Sequence, residues 1–281
     1  MVALIGLDPI STSYCSLAFK IERRFEGFVD AYFGPPGVKA MGELGAAPEA
    51  PALLAQAREL ASAVAGSELE PSRKRFLGAQ VQAMVTICRV LAGEELPYRE
   101  EVRGCFDVDA PRVPDAELDA ALAELDGLLP GDGDLQQRMI AHRERSVVDV
   151  PTAHRMIDLL MAETRRRTAA LIDLPEGDEV TIEFVTDKPW GGYNWYLGGA
   201  RSRVDVNTDL PLYATKLPNL IAHEAYPGHH TEHALKDRLL FQERGLGEHA
   251  IQLINTPECV ISEGIATLAE EMIFPGDEGV R

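Results

Sequence analysis

Apolar residues recur at helical spacing through most of the first 175 positions. Leu17, Ile21, Phe25 and Val29 stand four apart and predict a helix over about 12–32, stopped by Phe33-Gly34-Pro35-Pro36. Further helices are predicted over 51–65, 71–91, 117–129, 134–147 and 151–171, with Pro71 at a tolerated first-turn position and Pro130-Gly131-Asp132-Gly133 ending the fourth. The period then changes. Val180, Ile182 and Phe184 alternate with polar residues, as a half-buried strand does, and Tyr193–Leu197 and Arg203–Asn207 read as two more strands around Gly198-Gly199. Helical character returns over 217–233. The pattern predicts a mainly α chain with one small antiparallel β-sheet directly before the last helices. Without a convincing linker it reads as a single domain over 1–281, with a helical part over 1–175 and a sheet-plus-helix part over 176–281.

Composition narrows the function classes. The 281 residues include 46% hydrophobic ones, enough for a sizeable core. A net charge of -18 disfavours nucleic acid, which demands clustered Lys and Arg. Arg165-Arg166-Arg167 reads as a solvated helix face. The four cysteines (15, 88, 105 and 259) form no C-x-x-C pair, which predicts reduced thiols rather than a thiolate metal site. The short apolar N-terminus meets Asp8 and Pro9 without a basic region, and no apolar run reaches membrane-spanning length. A cytoplasmic protein with no membrane partner is the expectation.

Candidate chemistry is concentrated in His223-Glu224-Ala225-Tyr226-Pro227-Gly228-His229-His230, which holds three of the chain's seven histidines. With Glu263 in Ser262-Glu263-Gly264-Ile265-Ala266, these residues form a ligand set for one catalytic Zn2+. The position four after His223, where a zinc-peptidase helix carries its second ligand, is Pro227. Pro227-Gly228 is expected to kink or widen the helix. If a bulge absorbs two residues, His229 becomes the second ligand. If the helix stays nearly regular, His230 returns to the face of His223 two turns on. Both readings stay open on spacing alone. Glu224, about 100° around the helix from His223, is the candidate general base toward a water activated by zinc. Glu263 is the candidate third ligand. Glu270, two turns beyond it, could accept a hydrogen bond from a ligand imidazole, and His233 could support a ligand or touch substrate.

H-E-A-Y-P-G-H-H followed by S-E-G-I-A-T-L-A-E resembles the bacterial domain of unknown function 885 family, counted among zinc peptidases and similar to gluzincins such as thimet oligopeptidase. The first motif matches in full. In the second, Ile265 and Leu268 replace the usual aromatics. The resemblance covers roughly 180–281 and implies a helical gluzincin-like domain with a deep cleft and a sheet edge to which an extended peptide adds. Tyr193–Asn207 is the candidate edge. Arg201 and Arg203 are the candidates for binding a peptide carboxylate, and Tyr226, with Tyr213, for donating to an oxyanion. Relatives carry further helices after the second motif, so a fragment or shortened form is expected. The activity so implied is a zinc-dependent hydrolase, first of all a peptidase. A metal- or peptide-binding relic of the fold, and a hydrolase of non-peptide amides or esters, stand as alternatives.

Overall fold

The computed structural model describes residues 6–276 and residue 278. The chain opens with α1 (Pro9–Glu22), started by Asp8, whose carboxylate accepts from the backbone N–H groups of Ile10 and Ser11. This helix ends ten residues before the predicted boundary. The Glu22 carboxylate accepts from the N–H groups of Gly27 and Val29, and Gly27 takes φ 85°, so the chain turns. Val29 lies on β1 (Val29–Tyr32) instead. Next come α2 (Pro36–Glu43), α3 (Ala50–Gly66), α4 (Pro71–Leu91), α5 (Tyr98–Phe106), α6 (Asp115–Leu128) and α7 (Leu135–Glu144). The chain continues through β2 (Val147–Val148) and α8 (Val150–Ala169) into β3 (Glu179–Val185), β4 (Gly192–Gly198) and β5 (Arg201–Asn207). The last stretch holds β6 (Leu212–Tyr213), α9 (Leu217–Glu224), α10 (His229–Lys236), β7 (Ile251–Leu253) and α11 (Pro257–Ile273), with a π-helical turn over Asp237–Gln242.

The mainly helical class with small sheets is observed. Strand order departs from the expected antiparallel sheet. β4 and β5 do form an antiparallel hairpin around Gly198-Gly199-Ala200, all three at positive φ. β3 then joins the far side of β5 in parallel, giving the order β3-β5-β4. β5 is therefore central, and the free edge is confined to β4 and β3. Two further antiparallel pairs tie distant segments together: β1 with β7, and β2 with β6. The first matters most, because it brings residue 30 beside the C-terminal helices.

Burial follows two main clusters. Tyr14, Ile21, Leu53, Leu77 and Met84 pack α1, α3 and α4 around Ile251 of β7. Ile157 of α8, Val204 and Val206 of β5, and Leu217 and Ile221 of α9 form the second cluster. Thus α9 is fixed by apolar burial, through Leu217 and Ile221 in this cluster and Ala222 against Ala269 and Ile273 of α11. Among the described residues no helix is long and apolar enough to cross a membrane.

Candidate metal centre

Leu217–Glu224 starts with Pro218 in its first turn and ends where the motif begins. The predicted continuous helix over 217–233 is broken outright. Ala225 takes φ −115°, ψ −91°, Gly228 takes φ −71°, ψ −135°, and α10 starts afresh at His229. The Gly228 N–H donates to the Ala222 carbonyl at 2.9 Å, folding the connection back along α9. A Cβ on Gly228 would lie 1.9 Å from the His223 carbonyl oxygen and 2.5 Å from that of Ala222. Only glycine permits this approach. Gly228→Ala is expected to destabilise the fold by about 1–3 kcal/mol or more and to lower zinc content, read by thermal melting and metal analysis.

The break decides between the two candidate histidines. The Nε2 atoms of His223 and His229 lie 3.7 and 3.4 Å from the two carboxylate oxygens of Glu263. One ligand atom from each of these three residues falls within 4.8 Å of the others. Two ligands at about 2.1 Å from a tetrahedral zinc stand roughly 3.4 Å apart, so this donor set fits the ion. His230 points elsewhere. It is fully buried, and its Nδ1 pairs with the Ser202 hydroxyl at 2.8 Å. Burial pushes its imidazole down to about 4, so it stays neutral.

Hydrogen bonding prepares both ligand rings. The His229 Nδ1 lies 3.2 Å from the Ser262 hydroxyl, which donates to Glu232 Oε2. A hydroxyl spent on a carboxylate can only accept from His229, so Nδ1 carries a proton. In the ion-free chain burial opposes charge on this ring, but the hydrogen bond from Nε2–H to Glu263 raises its pKa, and loss of that proton frees the Nε2 lone pair for an ion. For His223, the Ala266 backbone carbonyl favours a protonated ring nitrogen in the same way, while burial and the His229 ring hold its pKa below the usual value. The Glu263 carboxyl is held low by its hydrogen bond from His229 against partial burial. If the cluster holds a divalent ion, Ser262→Ala is expected to weaken its binding about 10–100-fold while leaving His223, His229 and Glu263 in place, measured by competition with a chromophoric chelator.

A second group, His229, Glu232 and His233, is also close enough to hold an ion. Its chemistry is poorer. The Lys236 ammonium lies 3.2 Å from Glu232, and the other Glu232 oxygen already accepts from the Ser262 hydroxyl. His233 instead stacks on His229, with ring centroids 5.6 Å apart and planes 8° apart.

Glu224 is buried and turns toward β4, where its Oε1 would lie 3.4 Å from a Cβ on Gly192. Its backbone carbonyl accepts from the Asn194 side-chain amide at 2.7 Å, which pins the end of α9 to the strand. Burial raises the Glu224 carboxyl to about 7, with Glu263 and Asp30 adding to the rise and His229 opposing it. A carboxyl poised near neutrality beside a candidate metal cluster is suited to moving a proton.

All four of His223, Glu224, His229 and Glu263 line one cavity of about 260 Å3. His233 also lines it, and the remaining sequence candidates lie outside it. Tyr226 is buried with its hydroxyl donating to Asp178 at 2.7 Å, so it does not face the cluster. Arg203 is bound to Asp205 at 2.8 Å and lies over the Trp195 ring, and Arg201 is on the same central strand, not on an edge. Glu270 is half-buried on α11 and does not line the cavity. Sequence reasoning missed Asp30, Tyr193, Asn194 and the Ser262–Glu232 relay. Glu232 had a signal, standing three residues after His229 on one helix face. Asp30 had none, since only the β1–β7 pairing brings it near. No protein-family model, curated protein or solved structure matches this chain.

Proposed function

We propose that the protein is a zinc-dependent hydrolase of gluzincin type acting on peptide bonds. The observation that carries this reading is Glu224: a buried carboxyl raised to about 7, standing beside a three-residue His/His/Glu cluster that opens into a cavity. A purely structural zinc site needs a fourth closing ligand and no base. Here His223, His229 and Glu263 would hold the ion, and Glu224 is left over with its side chain facing the same space.

A bound divalent ion supplies Lewis-acid polarisation of the scissile carbonyl and lowers the pKa of water. Glu224 accepts a proton from the attacking water and returns it to the leaving amine. Its burial removes competing solvent, and the Asn194 hydrogen bond keeps its helix end in place during both transfers. Ser262 and Glu232 hold His229 in the tautomer that presents Nε2. β4 lines the cavity with Gly192, Tyr193 and Asn194 and, among the described residues, pairs as a strand with β5 alone, which leaves backbone groups for an extended substrate.

The test is metal analysis together with hydrolysis of short peptides and of non-peptide amides and esters. About one equivalent of zinc, with peptide cleavage abolished by chelation and restored by zinc, is the expected result. A chain that takes up no zinc when supplied with it refutes the proposal, and cleavage confined to non-peptide substrates moves it to another hydrolase class.

A further inference from the structure

The cavity wall away from the metal cluster carries groups that hydrolysis itself does not use. Asn194 and Gln252 are each only 8% exposed, and each presents a side-chain oxygen with no hydrogen-bond partner among the described residues. The orientation of Asn194 is set by its amide donating to the Glu224 carbonyl, so Oδ1 is a true orphan acceptor. Asp30 stands in the same wall. Gln252 pairs with Ala31 across β1 and β7, and the Tyr193 hydroxyl donates to Asp30 Oδ1, leaving Oδ2. Buried acceptors without donors are costly, and a bound ligand that brings donors relieves that cost.

We propose, resting on the peptidase reading above, that this wall binds the free α-amino group of the substrate, so that the enzyme cleaves near the amino terminus of short peptides. An ammonium brings three N–H donors and a positive charge to two orphan amide oxygens and a carboxylate. A substrate carboxylate would meet the Asp30 carboxylate and the Asn194 oxygen, with only the Gln252 amide nitrogen to donate to it. Lys236, the one lysine or arginine lining the cavity among the described residues, is already held by Glu232 and Glu258 and offers no free charge for an anion.

Shape agrees with this polarity. The cavity's volume of about 260 Å3 limits the amine side to a short stretch of chain. A second cavity of about 520 Å3 meets the first at Gly192, His223 and Glu224 and is lined by Leu210, Leu212, Leu217 and Leu220. The cluster therefore stands between a chamber that carries the unpartnered acceptors and one lined by four leucines. A peptide crossing it places its amino end in the first and an apolar residue after the scissile bond in the second. Lys216, exposed at the second cavity, is where a carboxypeptidase would hold its substrate.

Zinc-loaded protein and the tripeptide Ala-Leu-Phe, its N-acetyl form and its C-terminal amide test the assignment. Binding is measured by calorimetry on the Glu224→Gln variant, and cleavage on the wild type. Acetylation is expected to weaken binding about tenfold or more and to abolish cleavage, whereas amidation changes either by less than about threefold. Asp30→Asn, and independently Gln252→Leu, should shrink the preference for the free amine. Equal binding and cleavage of the free and acetylated forms would overturn the amine site and leave the peptidase reading intact. Tolerance of acetylation with loss on amidation would overturn it in favour of carboxyl-end recognition. Amine-selective binding without cleavage of any peptide would uphold the amine site and remove the peptidase reading. Absence of binding by all three peptides would overturn the amine site.

Discussion

Glu224→Gln is expected to retain about one equivalent of zinc and to lose peptide turnover by roughly 10²–10⁴-fold, the usual contribution of a positioned general base. The side chain is nearly isosteric, so the packing against Gly192 and the hydrogen bond from Asn194 to the backbone carbonyl persist. None of the three cluster ligands is touched. What disappears is the ability to accept a proton. The wild-type rate should rise with pH, because the base works deprotonated. In the ion-free chain burial holds this carboxyl at about 7, and a nearby divalent cation lowers it. The rising limb of kcat against pH is therefore expected at or below neutrality, and it should vanish in the variant. Loss of zinc together with turnover would instead make Glu224 a ligand, and unchanged turnover would remove it from the chemistry.

The second large effect separates two adjacent histidines. His229→Ala should abolish stoichiometric zinc and turnover together, because it removes a ligand whose Nε2 lies 3.4 Å from Glu263. His230→Gln should keep the zinc. It is expected to cost about 1–3 kcal/mol of stability at neutral pH, since a fully buried ring paired with Ser202 is replaced by a group of different shape. The same ring carries a pH signature. Burial holds His230 at about 4 against an unfolded value near 6.5, with Asp178 opposing the shift and Arg165 adding to it. The unfolded chain then binds more protons between those values, so this contribution is fully present above about pH 6.5 and is lost as pH falls toward 4, by up to roughly 3 kcal/mol. Urea melts at pH 7 and pH 4.5 should show His230→Gln flattening that loss. Zinc lost from His230→Gln and kept by His229→Ala would reverse the assignment of the pair.

Much of the site was legible because it is local. Seven consecutive residues hold His223, Glu224 and His229, and Pro227-Gly228 announces an interruption wherever it falls in a helix. The kind of interruption was not legible. A widened helix and a broken one share the same spacing. The outcome depends on whether the Gly228 amide can reach the Ala222 carbonyl, a contact that only the folded connection makes. The placement of Arg201 and Arg203 on a sheet edge was overturned for a similar reason. Alternation identifies a strand but says nothing about its neighbours, and the parallel return of β3 puts β5 at the centre of its sheet. The first helix was overextended because the four-residue spacing of Phe25 and Val29 continued its pattern. The Glu22 side chain and the left-handed Gly27 ended it.

By itself the sequence determined the helical class, the extent of α3, α4 and α8 to within a residue or two, and the motif as a candidate set of metal ligands. These depend on periodicity, capping and side-chain chemistry, all properties of neighbours along the chain. Tertiary structure alone decided which imidazole faces Glu263, that Ser262 and Glu232 set its tautomer, and that Asp30, Asn194 and Gln252 share one wall with the cluster. Those relations join residues from β1, β4, β7, α10 and α11, some more than 200 positions apart. Burial of the two apolar cores fixes their distances, and no local pattern encodes them.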